Sequence, residues 1–352
     1  MSAIVQNPAS EPGTLQLPSK APSPMLFFET VNAFRRTEAL KSAIELGIFS
    51  TLAKDSLSAA EIAKRSNTSE RGTRILCDYL VVIGFLSKEG NLYRNTADSV
   101  MFLDRKSPAY VGNAIDFLLS PSTRDEFSHL SEYVKTGKGG THNDNHEANS
   151  TKWIDFARSM GVLQSLPAQA NAKALKLDPT KKHKVLSLAA GHGMFEIEVG
   201  KLNPNAEMVA VDWPAVLEVA KENAKAAGVA ERYRTIPGDA FTVEFGNGYD
   251  VALVTGFLHH FDPTTCEQLL RRVHAALTPG GRVSIVEFVP NENRVSPPGP
   301  AAFSLTMLAA TAGGDAYTFK ELSGMLDKTG FQSAEMHPLI PEFVTGIIAN
   351  KA

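Results

Sequence analysis

The sequence predicts an α/β protein: a Rossmann-like doubly wound sheet preceded by a mainly α winged-helix domain. Three observations predict it. From about residue 183 onward, short apolar runs alternate with helical segments, the texture of βαβ units on a parallel sheet. Before them, three helical stretches lead into a short hairpin, the order of a winged helix. The composition is that of an ordinary globular chain, 352 residues with 43% hydrophobic and 21% charged, enough apolar side chain for sizeable cores. The formal net charge of −3 removes any global attraction to nucleic acid or acidic membranes. Cys77 and Cys266 are far apart in the sequence. Neither a disulfide framework nor a Cys-type zinc site is therefore expected, and a reducing, cytoplasmic setting fits. No apolar run approaches the ~18 residues of a membrane span.

Residues 1–24 carry Pro8, Pro12, Pro18, Pro22 and Pro24 among Ser and Gly. Such a segment buries too little apolar surface to offset chain entropy and is expected to be a disordered tail. Residues 25–108 are assigned to the winged helix. Phe27, Phe28, Val31, Phe34, Ala39, Leu40 and Ala43 recur at helical spacing. They predict one helix from 27 to 48, apolar on more than one face, more than a lone domain would bury. Ser58 with Glu61 three residues on is a capping box opening a second helix over 59–64. Thr68 or Ser69 opens a third through Ile83. Short strands on either side of Glu89-Gly90-Asn91 form the wing. The third helix offers Arg71 and Arg74 against Glu70 and Asp78, whereas DNA readers concentrate positive charge there. A structural or dimerising role is preferred to DNA reading.

Residues 109–176 form a helical connector interrupted by a polar loop over 136–151. His142, Asp144, His146 and Glu147 lie in that loop; nothing fixes their geometry, so it is read as a solvated loop and no metal is expected. Trp153, Phe156 and Met160 mark one helical face, either core packing or pocket lining. Residues 177–352 hold the alternating strands. The first strand, 183–188, runs into Ala189-Ala190-Gly191-His192-Gly193, a small-residue loop that lets backbone approach a nucleotide-like ligand. The second leads to Asp212, placed to accept two ribose hydroxyls, an arrangement nicotinamide cofactors share. G-x-G-x-x-G fails in both frames, because Glu196 and Met194 stand where its third glycine would be. No glycine then packs the helix against a pyrophosphate. After the third strand, Gly238-Asp239-Ala240-Phe241 offers a carboxylate for an adenine amino group and a ring to stack on it. Two acids after consecutive strands describe an adenosine without a diphosphate, which is S-adenosylmethionine.

These residues resemble the class I S-adenosylmethionine-dependent methyltransferases. More narrowly, the chain is similar over 25–352 to the small-molecule O-methyltransferases with an N-terminal winged-helix dimerisation domain, among them plant phenolic, acetylserotonin and bacterial pigment and antibiotic enzymes. The markers are 185–193, Ala210-Val211-Asp212-Trp213-Pro214, Gly238 to Phe241, Leu258-His259-His260-Phe261-Asp262 and 278–287. The resemblance implies a cofactor site at Ala189, Gly191, Gly193, Asp212, Trp213, Gly238, Asp239, Ala240, Phe241 and Thr255. It implies His259 as general base, taking the hydroxyl proton as oxygen attacks the sulfonium methyl, with Glu287 to orient it and His260 beside it. The family's second Glu falls on Ala316, with Asp315 offset by one, and the usual first-strand acid is Ser187. His192 stands where the family commonly has Thr; a backbone role is preferred there to an approach to the methionine end of the cofactor. An acceptor pocket is implied at Phe156, Met160, His260 and one face of a helix over 297–311, namely Phe303, Met307 and Thr311. The resemblance further implies a closing antiparallel hairpin, a homodimer, and a small hydroxylated, flat or apolar acceptor. Methyl transfer to nitrogen, sulfur or carbon, a DNA-binding regulator sensing S-adenosylmethionine, and a nicotinamide dehydrogenase are the competing readings.

Overall fold

A computed structural model describes residues 22–140 and 151–352. The expected tail up to residue 21 and the His142 to Glu147 loop lie outside the described residues. The chain divides into two compact units between Thr96 and Ala97.

The first unit comprises α1 (Met25–Val31), α2 (Phe34–Glu45), α3 (Ile48–Leu52), β1 (Leu57–Ser58), α4 (Ala59–Ser66), α5 (Glu70–Val82), β2 (Leu86–Glu89) and β3 (Leu92–Asn95). The single helix expected over 27–48 is thus two, interrupted at Asn32 and Ala33, with the short α3 following. α2 stops before Gly47, whose φ of 67° is the left-handed conformation that glycine adopts without a Cβ clash. The apolar excess of that segment is real: Met25, Leu26, Phe27, Phe28, Val31 and Phe34 are all more than half exposed. The capping box forms, with Glu61 Oε2 accepting from the Ser58 amide at 2.8 Å and Ser58 Oγ accepting from the Glu61 amide. Ser69 caps α5 through the Gly72 amide. The wing is a three-stranded antiparallel sheet, β1-β3-β2. On α5, Arg74 is paired with Asp78 at 2.9 Å, and Asp78 also accepts from Lys88 and the Tyr93 hydroxyl.

The second unit begins with α6 (Ala97–Phe102), α7 (Ala114–Leu118), α8 (Pro121–Ser128), α9 (Leu130–Thr136) and the long α10 (Thr151–Ala174). Then come β4 (Lys184–Leu188), α11 (Met194–Leu202), β5 (Glu207–Asp212), α12 (Pro214–Ala226), β6 (Tyr233–Pro237), β7 (Tyr249–Thr255), α13 (Pro263–Ala276), β8 (Leu277–Glu287), α14 (Pro298–Ala310), α15 (Phe319–Lys328), β9 (Phe331–Ile340) and β10 (Val344–Lys351). The seven strands are ordered β6-β5-β4-β7-β8-β10-β9. β4 to β8 are parallel, and β10 enters antiparallel between β8 and β9. The central strands read as nearly continuous apolar runs because helices cover both faces. Val185, Leu186, Leu188, Val251, Val254, Val283 and Ile285 are completely buried. Chain order reverses between β4 and β7, so the loops after β4, β5, β7 and β8 open into the crevice where ligands bind in such sheets.

Candidate active site

On the β4–β5 side, the chain turns sharply after Leu188. Ala189, Gly191 and Gly193 all have positive φ, at 51°, 57° and 77°. Gly193 has no room for a side chain, since a Cβ there would lie 2.9 Å from the Tyr233 hydroxyl. Asp212 closes this loop from the end of β5. Its Oδ2 accepts from the Gly191 amide at 2.8 Å and its Oδ1 from the Trp213 amide at 2.7 Å. Burial pushes its carboxyl up to about 6 in spite of those donors. Each oxygen keeps a lone pair for a further donor. After β6, the Gly238 amide donates to Asp212 O, and Asp239 Oδ1 accepts from the Phe241 amide at 2.9 Å. Ala240 is buried, and Thr255 is half-buried at the end of β7. The Phe241 ring already meets Phe261 edge-on at 4.9 Å and Phe257 at 6.0 Å. His192 does more than the backbone role expected of it. Its Nδ1 accepts from the Met194 amide at 3.1 Å, and its ring lies stacked between Phe156 and Phe195. Burial lowers its pKa to about 4, so it is a neutral structural ring.

On the β7–β8 side, Leu258 to His260 form a single tight turn. Glu287, the last residue of β8 and 4% exposed, accepts from the Phe257 amide at 3.1 Å, the His259 amide at 3.3 Å and His259 Nδ1 at 2.5 Å. A carboxylate partner assigns the proton to Nδ1 and leaves the lone pair on Nε2. The His259 ring lies 4.3 Å from the His260 ring and meets Phe303 edge-on at 4.9 Å. His260 meets Trp153 at 5.4 Å, and Trp153 meets Phe156 at 6.1 Å. The structure thus sets His260 and Phe303 against His259, with Phe156 further off, linked through Trp153. Met160 follows Phe156 one turn on, half-buried, and Met307 follows Phe303, buried. Trp153, which the sequence places on the face of Phe156 and Met160, belongs to this ring cluster. So does Phe288, 6.5 Å from the His259 ring and 4.1 Å from the Phe303 ring, which is not among the predicted pocket residues.

One expectation needs correction, and one position left open by the sequence can be described. Thr311 lies just past α14, because the helix ends at Ala310 and Thr311 is extended. Its hydroxyl donates to Met307 O at 2.7 Å and accepts from the Gly314 amide at 2.9 Å, so it caps the helix. Asp315 is not brought to His259 as a substitute for the missing acid; its carboxylate pairs with Arg294 at 2.9 Å, and Arg294 also holds Glu321. Ala316 is 1% exposed. What does touch the histidine backbone is Gly314, where a Cβ would lie only 2.1 Å from His259 O.

Residues 127–332 match the O-methyltransferase domain, and residues 28–105 match the O-methyltransferase dimerisation domain. The chain belongs to the O-methyltransferase family. A Streptomyces glaucescens relative, the tetracenomycin polyketide synthesis 8-O-methyl transferase, is 30% identical over 307 residues, covering 85% of this chain and 88% of that protein. A crystal structure of a Nostoc punctiforme protein, provisionally assigned as an O-methyltransferase, matches with a TM-score of 0.90 at 48% identity, covering 94% of this chain and 100% of that one. Human N-acetylserotonin methyltransferase, solved in complex with S-adenosylmethionine, shares the fold at 24% identity with a TM-score of 0.82, covering 96% of this chain and 100% of that one. This O-methyltransferase is an S-adenosylmethionine-dependent enzyme, with the doubly wound sheet and N-terminal helical region that the sequence predicts. Among the described residues no helix is long and apolar enough to cross a membrane.

Proposed function

We propose that this O-methyltransferase methylates a hydroxyl of a small aromatic or polyketide-like metabolite, with His259 as general base and Glu287 as its orienter. The observation that carries this reading is the 2.5 Å contact between His259 Nδ1 and a buried Glu287 that two backbone amides also hold in place. The bound donor supplies an electrophilic methyl on a sulfonium. His259 Nε2 takes the acceptor's hydroxyl proton as the oxygen attacks in line, and Glu287 stabilises the imidazolium that results. The loop from Ala189 to Gly193 would admit the donor's backbone-facing edge. Asp212 would accept the ribose hydroxyls with its remaining lone pairs, and Asp239 the adenine amino group, with Trp213, Gly238, Ala240, Phe241 and Thr255 around them. The fit to an adenosine rests on Asp212 being a carboxyl with one donor per oxygen and on a loop of positive φ in which a Cβ at Gly193 would crowd Tyr233.

Trp153, Phe156, Met160, His260, Phe303 and Met307 offer rings and thioethers, a lining for a flat, apolar acceptor. The Streptomyces relatives' names, a tetracenomycin polyketide enzyme and a 3-hydroxy-5-methyl-1-naphthoate 3-O-methyltransferase, suit the same class. The exposed apolar segment from Met25 to Phe34, inside the region matching the dimerisation domain, supports a homodimer in which a second copy covers it. Two buried free thiols, Cys77 and Cys266, suit a cytoplasmic setting. The test is a metabolite-extract assay with methyl-labelled donor, followed by His259→Ala on the labelled acceptor. Label appearing on oxygen, and lost with His259→Ala, is the expected result. Full turnover by His259→Ala would remove the base from the mechanism, and label on nitrogen, sulfur or carbon would remove the hydroxyl.

A further inference from the structure

One buried acid takes no part in the mechanism above. Glu196, on α11, is 0% exposed. Its Oε1 accepts from the Tyr233 hydroxyl at 2.6 Å. Its Oε2 has no hydrogen-bond partner among the described residues, and neither has the Ser187 hydroxyl, also 0% exposed on β4. The Tyr233 hydroxyl that Glu196 holds is the atom that would lie 2.9 Å from a Cβ on Gly193. The carboxyl therefore sits directly behind the turn that forms the cofactor loop. The titratable groups that act on it are Tyr233 from β6 and Asp212 from β5, and Ser187 faces it from β4. α10, α12 and β7 also pack on α11 but bring no cation to it. Glu198 on its own helix is paired with Lys201 at 2.7 Å. An ionised carboxylate sealed in with no cation is costly, and a second negative charge there would oppose ionisation of Asp212.

We infer that Glu196 is a positioning residue for cofactor binding: held as a neutral carboxylic acid, it fixes Tyr233 behind Gly193 and leaves the negative charge to Asp212. In that form Oε1 accepts from Tyr233 and the proton on Oε2 is donated towards Ser187. Burial pushes the Glu196 carboxyl up to about 7, in the direction the geometry requires. The inference rests on the proposed role of Asp212 in holding the ribose.

The consequence for stability has a definite sign. A carboxyl raised in the folded state contributes stability fully below its unfolded pKa of about 4.5, and that contribution is lost as pH rises towards about 7. Glu196→Gln, which copies the neutral acid, escapes that loss. The experiment is calorimetric titration of S-adenosylhomocysteine into the full-length wild type, Glu196→Gln, Glu196→Ala and Tyr233→Phe, with thermal midpoints from about pH 5 to pH 8. Expected is affinity within about twofold of wild type for Glu196→Gln and a loss of about fivefold or more for Glu196→Ala and Tyr233→Phe. The midpoint of Glu196→Gln should exceed wild type by a margin that grows with pH. Affinity in Glu196→Gln as poor as in Glu196→Ala would overturn the inference. So would a midpoint difference that ignores pH, or full affinity in both Glu196→Ala and Tyr233→Phe. Unchanged binding by Asp212→Asn would instead sink the ribose assignment, a separate readout.

Discussion

Glu287 and Asp212 stand at the C-terminal ends of β8 and β5, on opposite sides of the point where strand order reverses, and the chain furnishes them differently. Glu287 is hidden and receives three donors from its own chain, one of them the His259 imidazole. Asp212 is only half-buried and receives two, both backbone amides, while burial holds its carboxyl up near 6. The donors on Glu287 all come from the chain itself, so the turn carrying His259 is held before anything binds. In the proposed reading the remaining lone pairs of Asp212 are the ones that two ribose hydroxyls would take up. The difference separates what should damage turnover from what should damage binding.

The largest effect should follow His259→Ala. Removing the base is expected to lower kcat by about 10²–10⁴-fold, with S-adenosylhomocysteine affinity unchanged in a calorimetric titration. Equal losses in both quantities would erase the distinction between the two halves. Glu287→Gln comes next, at about 10²-fold in kcat. A Gln side chain must present its oxygen either to the two backbone amides or to Nδ1, so the turn carrying His259 also loosens and the thermal midpoint falls. Asp212→Asn should do the reverse, weakening S-adenosylhomocysteine by about 10-fold or more through two lost charge-assisted bonds, while kcat at saturating donor holds.

Asp212 also gives the comparison a pH axis. Hydroxyl donors favour its ionised form, so affinity should be full above about pH 6 and fall by up to about tenfold per unit below it. Asp212→Asn should flatten that limb. For folding the sign is opposite: the raised carboxyl contributes stability below its unfolded value of about 3.8, and that is lost as pH climbs through about 6. A pH-independent affinity in the wild type would mean that Asp212 does not receive the ligand.

Much of this contrast is legible in the sequence. Acids after β5 and β6, small residues after β4, and a histidine after β7 have fixed positions along a doubly wound chain, so counting strands finds them. The break between α1 and α2 is harder to read, because Asn32 and Ala33 carry no strong stop signal and helical periodicity runs across them. Thr311 differs for a related reason: spacing of i, i+4, i+8 presumes that the helix continues, and the backbone turns extended at Thr311. Glu196 reads as an ordinary helix residue until β4 and β6 are packed against it. Arg294 sits 21 residues from Asp315, and no local pattern links them.

That last pair supplies the smallest effect and the sharpest test of how many acids serve His259. Arg294 joins Asp315 and Glu321 on a partly exposed surface, where such pairs contribute roughly 0–1 kcal/mol. Their place matters more than their strength, since Gly314, next to Asp315, lies against the His259 carbonyl. Arg294→Ala should therefore lower kcat by less than about fivefold, with high salt reproducing part of the loss in the wild type. Asp315→Asn should cost no more than that, because it releases one of the two pairs and leaves Arg294 on Glu321. If instead Asp315→Asn approached the deficit of Glu287→Gln while Arg294→Ala stayed mild, Asp315 would be acting on the histidine directly. The reactive half would then need two carboxylates rather than the one that the geometry provides.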